Sequence, residues 1–147
     1  MKLSGSVTLD APREKVWAAI NNPIILAKCL PGCERLDPDG ADRFKVAVSF
    51  GIAAISGKYA GSLELAEKKP PHSMRLKMDG KGIPGFVNGK GRMELHAKGK
   101  HTQLHYEGEA QVGGLIAAVG QRMIEAAAHK IVAQFFEEFS TELAKLP

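Results

Sequence analysis

The amino-acid sequence predicts an α+β fold in which an antiparallel sheet wraps around one long C-terminal helix. Three observations carry this prediction: helical segments follow the first strand, about six strands of alternating hydrophobicity come next, and an amphipathic helix spans about 115–144. A long helix that follows a run of strands buries its apolar face by lying across the concave face of the sheet. Such an arrangement commonly encloses an apolar pocket.

Length and composition limit the class of protein. The chain has 147 residues, 44% of them hydrophobic, which predicts a single domain over residues 1–147 that needs neither a metal nor a disulfide to fold. No stretch approaches the ~18 apolar residues of a membrane span, and Met1–Gly5 is typical of a strand rather than a signal peptide, so we expect a cytoplasmic protein.

The net charge of +4 comes from lysines scattered along the chain, without the aromatic signature of an RNA-binding surface. We therefore expect no nucleic acid partner. Weak attraction to an acidic protein or an anionic membrane stays open.

The first elements are a strand and two short helices. Lys2–Leu9 alternates as a strand, and Asp10 is placed to cap a helix that has Pro12 in its first turn. A second helix follows Asn22 and Pro23 and ends at Pro31-Gly32. The side chains that these two helices should bury are Val16, Trp17, Ile20, Ile24, Ile25, Leu26 and Leu30.

Between Cys33 and Val112 the hydrophobic period is two, which is typical of strands with one wet and one dry face. Most connections are too short for crossover helices, so we expect an antiparallel meander. The segment Gly80–Gly91 contains five glycines and one proline and predicts a mobile hairpin tip that exposes Ile83, Phe86 and Val87. Such a tip could act as a lid or as a docking surface.

The closing helix should begin after Gly113-Gly114 and extend for about 30 residues, roughly 45 Å. Its small residues permit either close packing on the sheet or space for a ligand. The positions that helical spacing turns toward the sheet are Ile116, Val119, Met123, Ala126, Ala127, Ile131, Phe135 and Phe139.

Flexible methionines mixed with glycine and alanine favour a pocket that adapts to irregular apolar guests. Tyr59 and Tyr106 could each orient a ligand carbonyl or phenol, although a tyrosine at a pocket rim often points its hydroxyl to solvent. Phe86 should lie at the mouth. The remaining predicted lining residues are Phe44, Val46, Tyr59, Leu63, Met78, Met93, Tyr106, Ile116, Val119 and Met123.

Catalytic groups are hard to find in this pattern. The strand alternation places no acidic residue on the dry face, and it places His96 and His105 on the wet face as a solvated pair. Cys29 and Cys33 have no partners at metal-site spacing and are expected to be free thiols. We therefore expect a binding protein without a cofactor. A small cyclase, hydratase or hydrolase, with an acid or base beside Tyr59 or Tyr106, and a pure protein-interaction module with a filled core are the alternatives.

Several motifs, in order along nearly the whole chain, resemble the CoxG family of carbon monoxide dehydrogenase subunits. They are Met1–Gly5, Ala11–Trp17, Leu30–Glu34, Gly57–Gly61, Gly85–Gly89, Gln111–Leu115 and Gln134–Phe136. The family belongs to the START-like, polyketide cyclase-like (SRPBCC) superfamily, whose helix-grip or Bet v 1-like fold matches the architecture above. The resemblance implies an accessory protein of a molybdenum-containing carbon monoxide dehydrogenase or related hydroxylase. It also implies a hydrophobic ligand, such as a quinone or lipid, and peripheral contact with the membrane.

Overall fold

The computed structural model describes residues 1–147 as one seven-stranded antiparallel sheet with helices on its concave face. The strands are β1 (Lys2–Leu9), β2 (Cys33–Pro38), β3 (Arg43–Phe50), β4 (Gly57–Lys69), β5 (Ser73–Gly82), β6 (Gly85–Lys98) and β7 (His101–Gly113). The helices are α1 (Arg13–Ile20), α2 (Pro23–Cys29) and α3 (Gln121–Ala144), with short 3-10 turns at Ala53–Ile55 and Leu115–Val119. The predicted α+β helix-grip fold is confirmed.

The sheet order is β1-β7-β6-β5-β4-β3-β2, so strands β2 to β7 form the expected meander. The six strands that follow α2 are confirmed as well. β1 closes the sheet by pairing with β7, from Lys2 opposite Glu109 to Leu9 opposite Thr102. The long strands of the meander curve around α3, which leaves one concave face for the helix and one outer face for solvent.

The first two helices begin differently from the prediction. Pro12, not Asp10, is the N-cap of α1, because Asp10 lies two residues too early for its carboxylate to reach the first free amides. The α2 cap is as expected, since the side chain of Asn22 accepts a hydrogen bond from the amide of Ile24 at 2.9 Å. Ile24 itself is exposed, contrary to the prediction, whereas Ile25 and Leu26 are buried.

The closing helix is interrupted. Residues Leu115–Val119 form a 3-10 turn, and Gly120 breaks the helix with a φ of 94°, a conformation that favours glycine. The α-helix therefore has 24 residues and a length of about 36 Å. Ile124 and Ala127 are buried, whereas Val119, Met123 and Ala126 are exposed. The predicted buried stripe is wrong at these three positions. Val119 belongs to the 3-10 turn, so it does not follow α-helical spacing.

The main core lies where α1, α2 and residues 135–144 of α3 meet the sheet, a region called the closed end below. Phe139, Leu104 and Val16 are completely inaccessible to solvent there. Glu142 is buried at this end and binds Lys28 at 3.2 Å and Lys145 at 2.7 Å, which ties α2 to α3. The opposite part of the molecule, called the open end, consists of the β5–β6 turn, Leu115–Val119 and residues 121–124.

Candidate ligand-binding site

The space between the sheet and α3 is not filled toward the open end. Met78 shares a sheet face with Leu63, its partner across β4, and Leu63 belongs to the buried core. Met78 therefore points to the concave side, yet 47% of its surface is uncovered. Met74, four residues earlier on the same face, is only 1% exposed. The concave face thus changes within one strand from a packed core to open space.

Glycines surround Met78 on the concave face. Gly61, Gly80, Gly89 and Gly91 occupy concave-face positions around Met78, as their pairing across β4, β5 and β6 shows. A Cβ atom added to Gly80 would meet no atom within 4 Å. Half-buried apolar side chains at the boundary of the space are Val46, Leu76, Tyr106, Phe135 and Phe136.

An apolar groove of about 470 Å³ opens at the edge of the sheet, where β7 extends past the start of β1 and approaches α3. Its floor and walls come from both the strand and the helix, so it lies between the two layers. It is lined by Met1, Phe86, Ala110, Gln111, Val112, Ala117, Gln121 and Ile124. This groove therefore places an apolar surface in contact with solvent at the open end.

The predicted lining residues fall into distinct environments. Val46 and Tyr106 are half-buried beside the space, and Met78 projects into it. The other inward-facing members are buried side chains that pack against protein and would meet a ligand only along the margins of the space. They are Phe44, Tyr59, Leu63, Met93 and Ile116.

Two predicted lining residues require correction. Val119 lies in the 3-10 turn and Met123 in the first turn of α3, and both are exposed. Phe86 is opposite Lys81 on the outer face, and its ring lies against Gly113, where an added Cβ would be 2.3 Å from Cζ of the ring. Phe86 still borders the apolar groove, so it lies at the rim rather than within the interior.

The two tyrosines differ in what their hydroxyls can do. The Tyr59 hydroxyl donates to the carbonyl of Ile55 at 2.9 Å, which satisfies it internally, and burial raises the pKa of this phenol. The Tyr106 hydroxyl has no hydrogen-bond partner within the protein and lies over Gly5 of the edge strand β1. The Tyr106 ring stacks on Phe136 with 5.6 Å between centroids. Of the two hydroxyls, only that of Tyr106 is free to meet a ligand atom.

The buried ionisable groups have structural roles. The buried carboxylate of Glu142, which the strand pattern did not reveal, is at the closed end, and its pKa is lowered by hydrogen bonds from Lys145 and Lys28. Cys29 is buried and Cys33 half-buried, and both are free thiols as predicted. Burial, with a smaller effect of Glu138 and Glu142, raises the pKa of Cys29 to about 11.

The histidines of the outer face also match the prediction. His96 and His105 are exposed, with ring centroids 6.3 Å apart. No three His, Cys, Asp or Glu side chains are grouped so that they could hold a metal ion.

The glycine-rich segment is more ordered than the prediction of a mobile tip. Most of it belongs to β5 and β6, and only Ile83 and Pro84 form the turn. The Pro84 carbonyl accepts a hydrogen bond from the amide of Ile116 at 2.7 Å, which anchors the turn to the segment before α3. Val87 is half-buried, whereas Ile83 is fully exposed.

The sequence prediction used the mixture of methionine and glycine as a sign of a pocket, but it did not name Gly80, Gly89, Gly91 or Phe136 as part of the site. The alternation that identified Met78 as inward-facing also places these glycines on the same face, so the sequence pattern could have identified them. Apart from Phe86, the residues of the apolar groove could not be predicted, because they come together only when α3 docks beside β7.

The architecture is the α+β helix-grip fold, which START-like proteins share. A START superfamily protein from Mycobacterium smegmatis aligns with 99% of this chain and 99% of its own, at 12% identity and a TM-score of 0.76. The Zhui aromatase/cyclase from a Streptomyces species aligns with 99% of this chain and 94% of its own, at 14% identity and a TM-score of 0.73. At these identities the likeness shows the fold alone.

The chain belongs to the CoxG family of carbon monoxide dehydrogenase subunits, whose model matches residues 5–144. A conserved protein from Geobacillus kaustophilus is 40% identical, with 99% of this chain and 96% of that chain covered and a TM-score of 0.96. A search of curated protein sequences finds no match. The family match supports an accessory role in general. None of the helices is both long and apolar enough to cross a bilayer.

Proposed function

We propose that this protein is a non-catalytic accessory protein that holds a hydrophobic molecule, such as a quinone or lipid, between the sheet and α3. The observation that carries the proposal is the uncovered surface of Met78 on a concave face whose neighbouring positions are glycines. Each Å² of apolar surface in contact with water costs about 25 cal/mol. An apolar ligand that covers the exposed surface of this interior therefore stabilises the protein.

The family gives this binding role its context. As a member of the CoxG family, the protein would assist the assembly of a molybdenum hydroxylase of the carbon monoxide dehydrogenase type, or its recruitment to the membrane. A carrier of an apolar molecule is chemically suited to such a partner, because a redox enzyme exchanges electrons with molecules that are sparingly soluble in water. The interior offers no free carboxylate or imidazole as a catalytic acid or base, which favours carriage over a cyclase or hydrolase reaction.

Native mass spectrometry tests the proposal directly. The protein is purified from a host that makes quinones, and any bound molecule is extracted into organic solvent and identified. We expect a stoichiometric apolar ligand. Met78→Trp and Gly80→Leu should each reduce its occupancy at least tenfold, because both add side-chain volume to the open space.

Gly51→Leu is the matched control. Gly51 also has no atom within 4 Å of an added Cβ, but it lies in the exposed connection after β3, so this variant should retain full occupancy. A protein that is free of ligand, and that takes up neither quinone nor lipid when these are added, would exclude the carrier role.

A further inference from the structure

Exposed large apolar side chains are concentrated at the open end. The fold leaves seven of them uncovered, and five lie in the β5–β6 turn, the adjoining start of β6, the Leu115–Val119 turn and the first residues of α3. These five are Ile83, Phe86, Leu115, Val119 and Met123. Ile83 is 93% exposed and Leu115 is 72% exposed. Water-facing clusters of this kind mark interaction sites in soluble proteins.

The cluster forms one supported surface. The hydrogen bond from the Ile116 amide to the Pro84 carbonyl joins the two turns, and the backbones of Gly85 and Gly114 approach so closely that a Cβ on Gly114 would lie 2.7 Å from the Gly85 Cα. A shallow depression of about 820 Å³ on the outer face lies between Ile83, Phe86 and Leu115. The exposed side chains are therefore held by a rigid backbone and do not depend on a flexible loop.

Unpaired cations accompany the apolar surface. Lys58, Lys81 and Arg122 are exposed, and none of them forms an ion pair. Lys81 is opposite Phe86 in the β5–β6 register, and Arg122 precedes Met123. Two acidic side chains also lie nearby, Asp79 on β5 and Glu125 on α3, where Glu125 accepts a hydrogen bond from the Gln121 amide at 3.0 Å. The three cations outnumber them, so this surface has a net positive charge.

We propose that the open end contacts an anionic lipid bilayer, with Ile83 and Leu115 in the interfacial region and Lys58, Lys81 and Arg122 against the headgroups. Apolar side chains beside unpaired cations are the combination that binds to anionic bilayers. This inference deepens the proposed function, because it identifies the surface for membrane recruitment and rests on that part of it. The apolar groove borders Phe86, so this contact also brings the groove to the bilayer.

Vesicle flotation of the full chain measures the contact. We expect binding to vesicles of phosphatidylcholine with 30% phosphatidylglycerol, and much weaker binding to pure phosphatidylcholine. The double variant Ile83→Glu, Leu115→Glu should lose at least tenfold in affinity, because it places two carboxylates in the interface. Lys58→Gln and Lys81→Gln should each reduce affinity about fivefold.

Ile24→Glu is the control, because Ile24 is 69% exposed on α2 at the closed end. This variant should bind vesicles like the original chain. A fluorescence experiment gives an independent readout that needs no loss of binding. Ile83→Trp should be quenched by brominated lipids, whereas the single natural tryptophan, Trp17 on α1, should not be quenched.

Three results would overturn the inference. One is the absence of vesicle binding at either lipid composition; another is equal loss of binding by Ile24→Glu and by the open-end variant. The third is a concentration-dependent dimer that Ile83→Glu with Leu115→Glu dissociates, since a second copy would then cover the surface. Ligand occupancy is measured on the same variants, so loss of the carrier role and loss of the bilayer contact are distinguishable.

Discussion

The two ends of the molecule use the same pairing of helix and sheet for different purposes. At the closed end, Phe139 and its neighbours are inaccessible to solvent, and Glu142 binds lysines on either side. Toward the open end, Met78 lies on the concave face with glycines as its neighbours, and about half of its surface is exposed. The comparison indicates that the closed end stabilises the fold, which allows the open end to keep space for a guest.

The largest effect should come from truncating Phe139. We expect Phe139→Ala to lower the free energy of unfolding by about 3–5 kcal/mol, because it leaves a cavity in the packed core. Met123→Ala, on the exposed side of the same helix, should change it by less than about 0.5 kcal/mol. Urea unfolding followed by circular dichroism measures both. A similar loss for Met123→Ala would mean that the open end is covered in solution.

Two glycines of the concave face, Gly61 and Gly80, differ in the space around them and so test where the interior is packed and where it is open. A Cβ on Gly61 would lie 1.7 Å from the carbonyl oxygen of Asp79, so Gly61→Ala should lower the free energy of unfolding by more than about 1 kcal/mol. Gly80→Ala meets nothing within 4 Å and should raise it by about 0.4–1 kcal/mol, through the entropy of the unfolded chain. Thermal unfolding distinguishes them. If Gly80→Ala were as destabilising as Gly61→Ala, the space beside Met78 would be filled.

The smallest expected effect is on the pH dependence of the Tm, and it comes from the buried carboxylate of Glu142 at the closed end. Because lysine hydrogen bonds lower the pKa of Glu142 in the folded state, its stabilising effect is present above the ordinary carboxyl value of 4.5 and is lost as the pH falls through the lowered value. The original chain should therefore have a higher Tm than Glu142→Gln at pH 7, and the difference should decrease below about pH 4.5. A difference that is constant from pH 7 to pH 3 would contradict this assignment.

Much of this architecture was predictable because it depends on local periodicity. The alternation from Phe44 to Tyr106 identified the strands and their concave faces, and Asn22 identified the start of α2. Buried and exposed sides of a strand follow from position parity alone, so Met78 was correctly placed on the inner face. The family resemblance, read from motifs along the chain, is confirmed by the match over residues 5–144.

The errors occurred where long-range contacts set the geometry. The prediction of a continuous helix after Gly113-Gly114 is wrong at Gly120, whose positive φ separates the 3-10 turn from α3. Val119 and Met123 lie on either side of this break and are exposed. Phe86 lies on the outer face opposite Lys81, at the rim of the apolar groove. Hydrophobicity does not reveal these positions, because all three side chains are apolar and the fold leaves them exposed.

Hydrophobic spacing and the order of elements are sufficient to predict an antiparallel sheet and a helix that packs across it, because these properties depend on which residues are neighbours along the chain. The family resemblance came from the sequence motifs, which are local in the same sense. Tertiary structure is needed to show that the interior is full at Phe139 and open at Met78. It is also needed to bring Ile83 beside Leu115, through the hydrogen bond between Pro84 and Ile116. The reason is physical: an unfilled space and a shared surface are properties of atoms brought together from distant segments, and no single segment contains them.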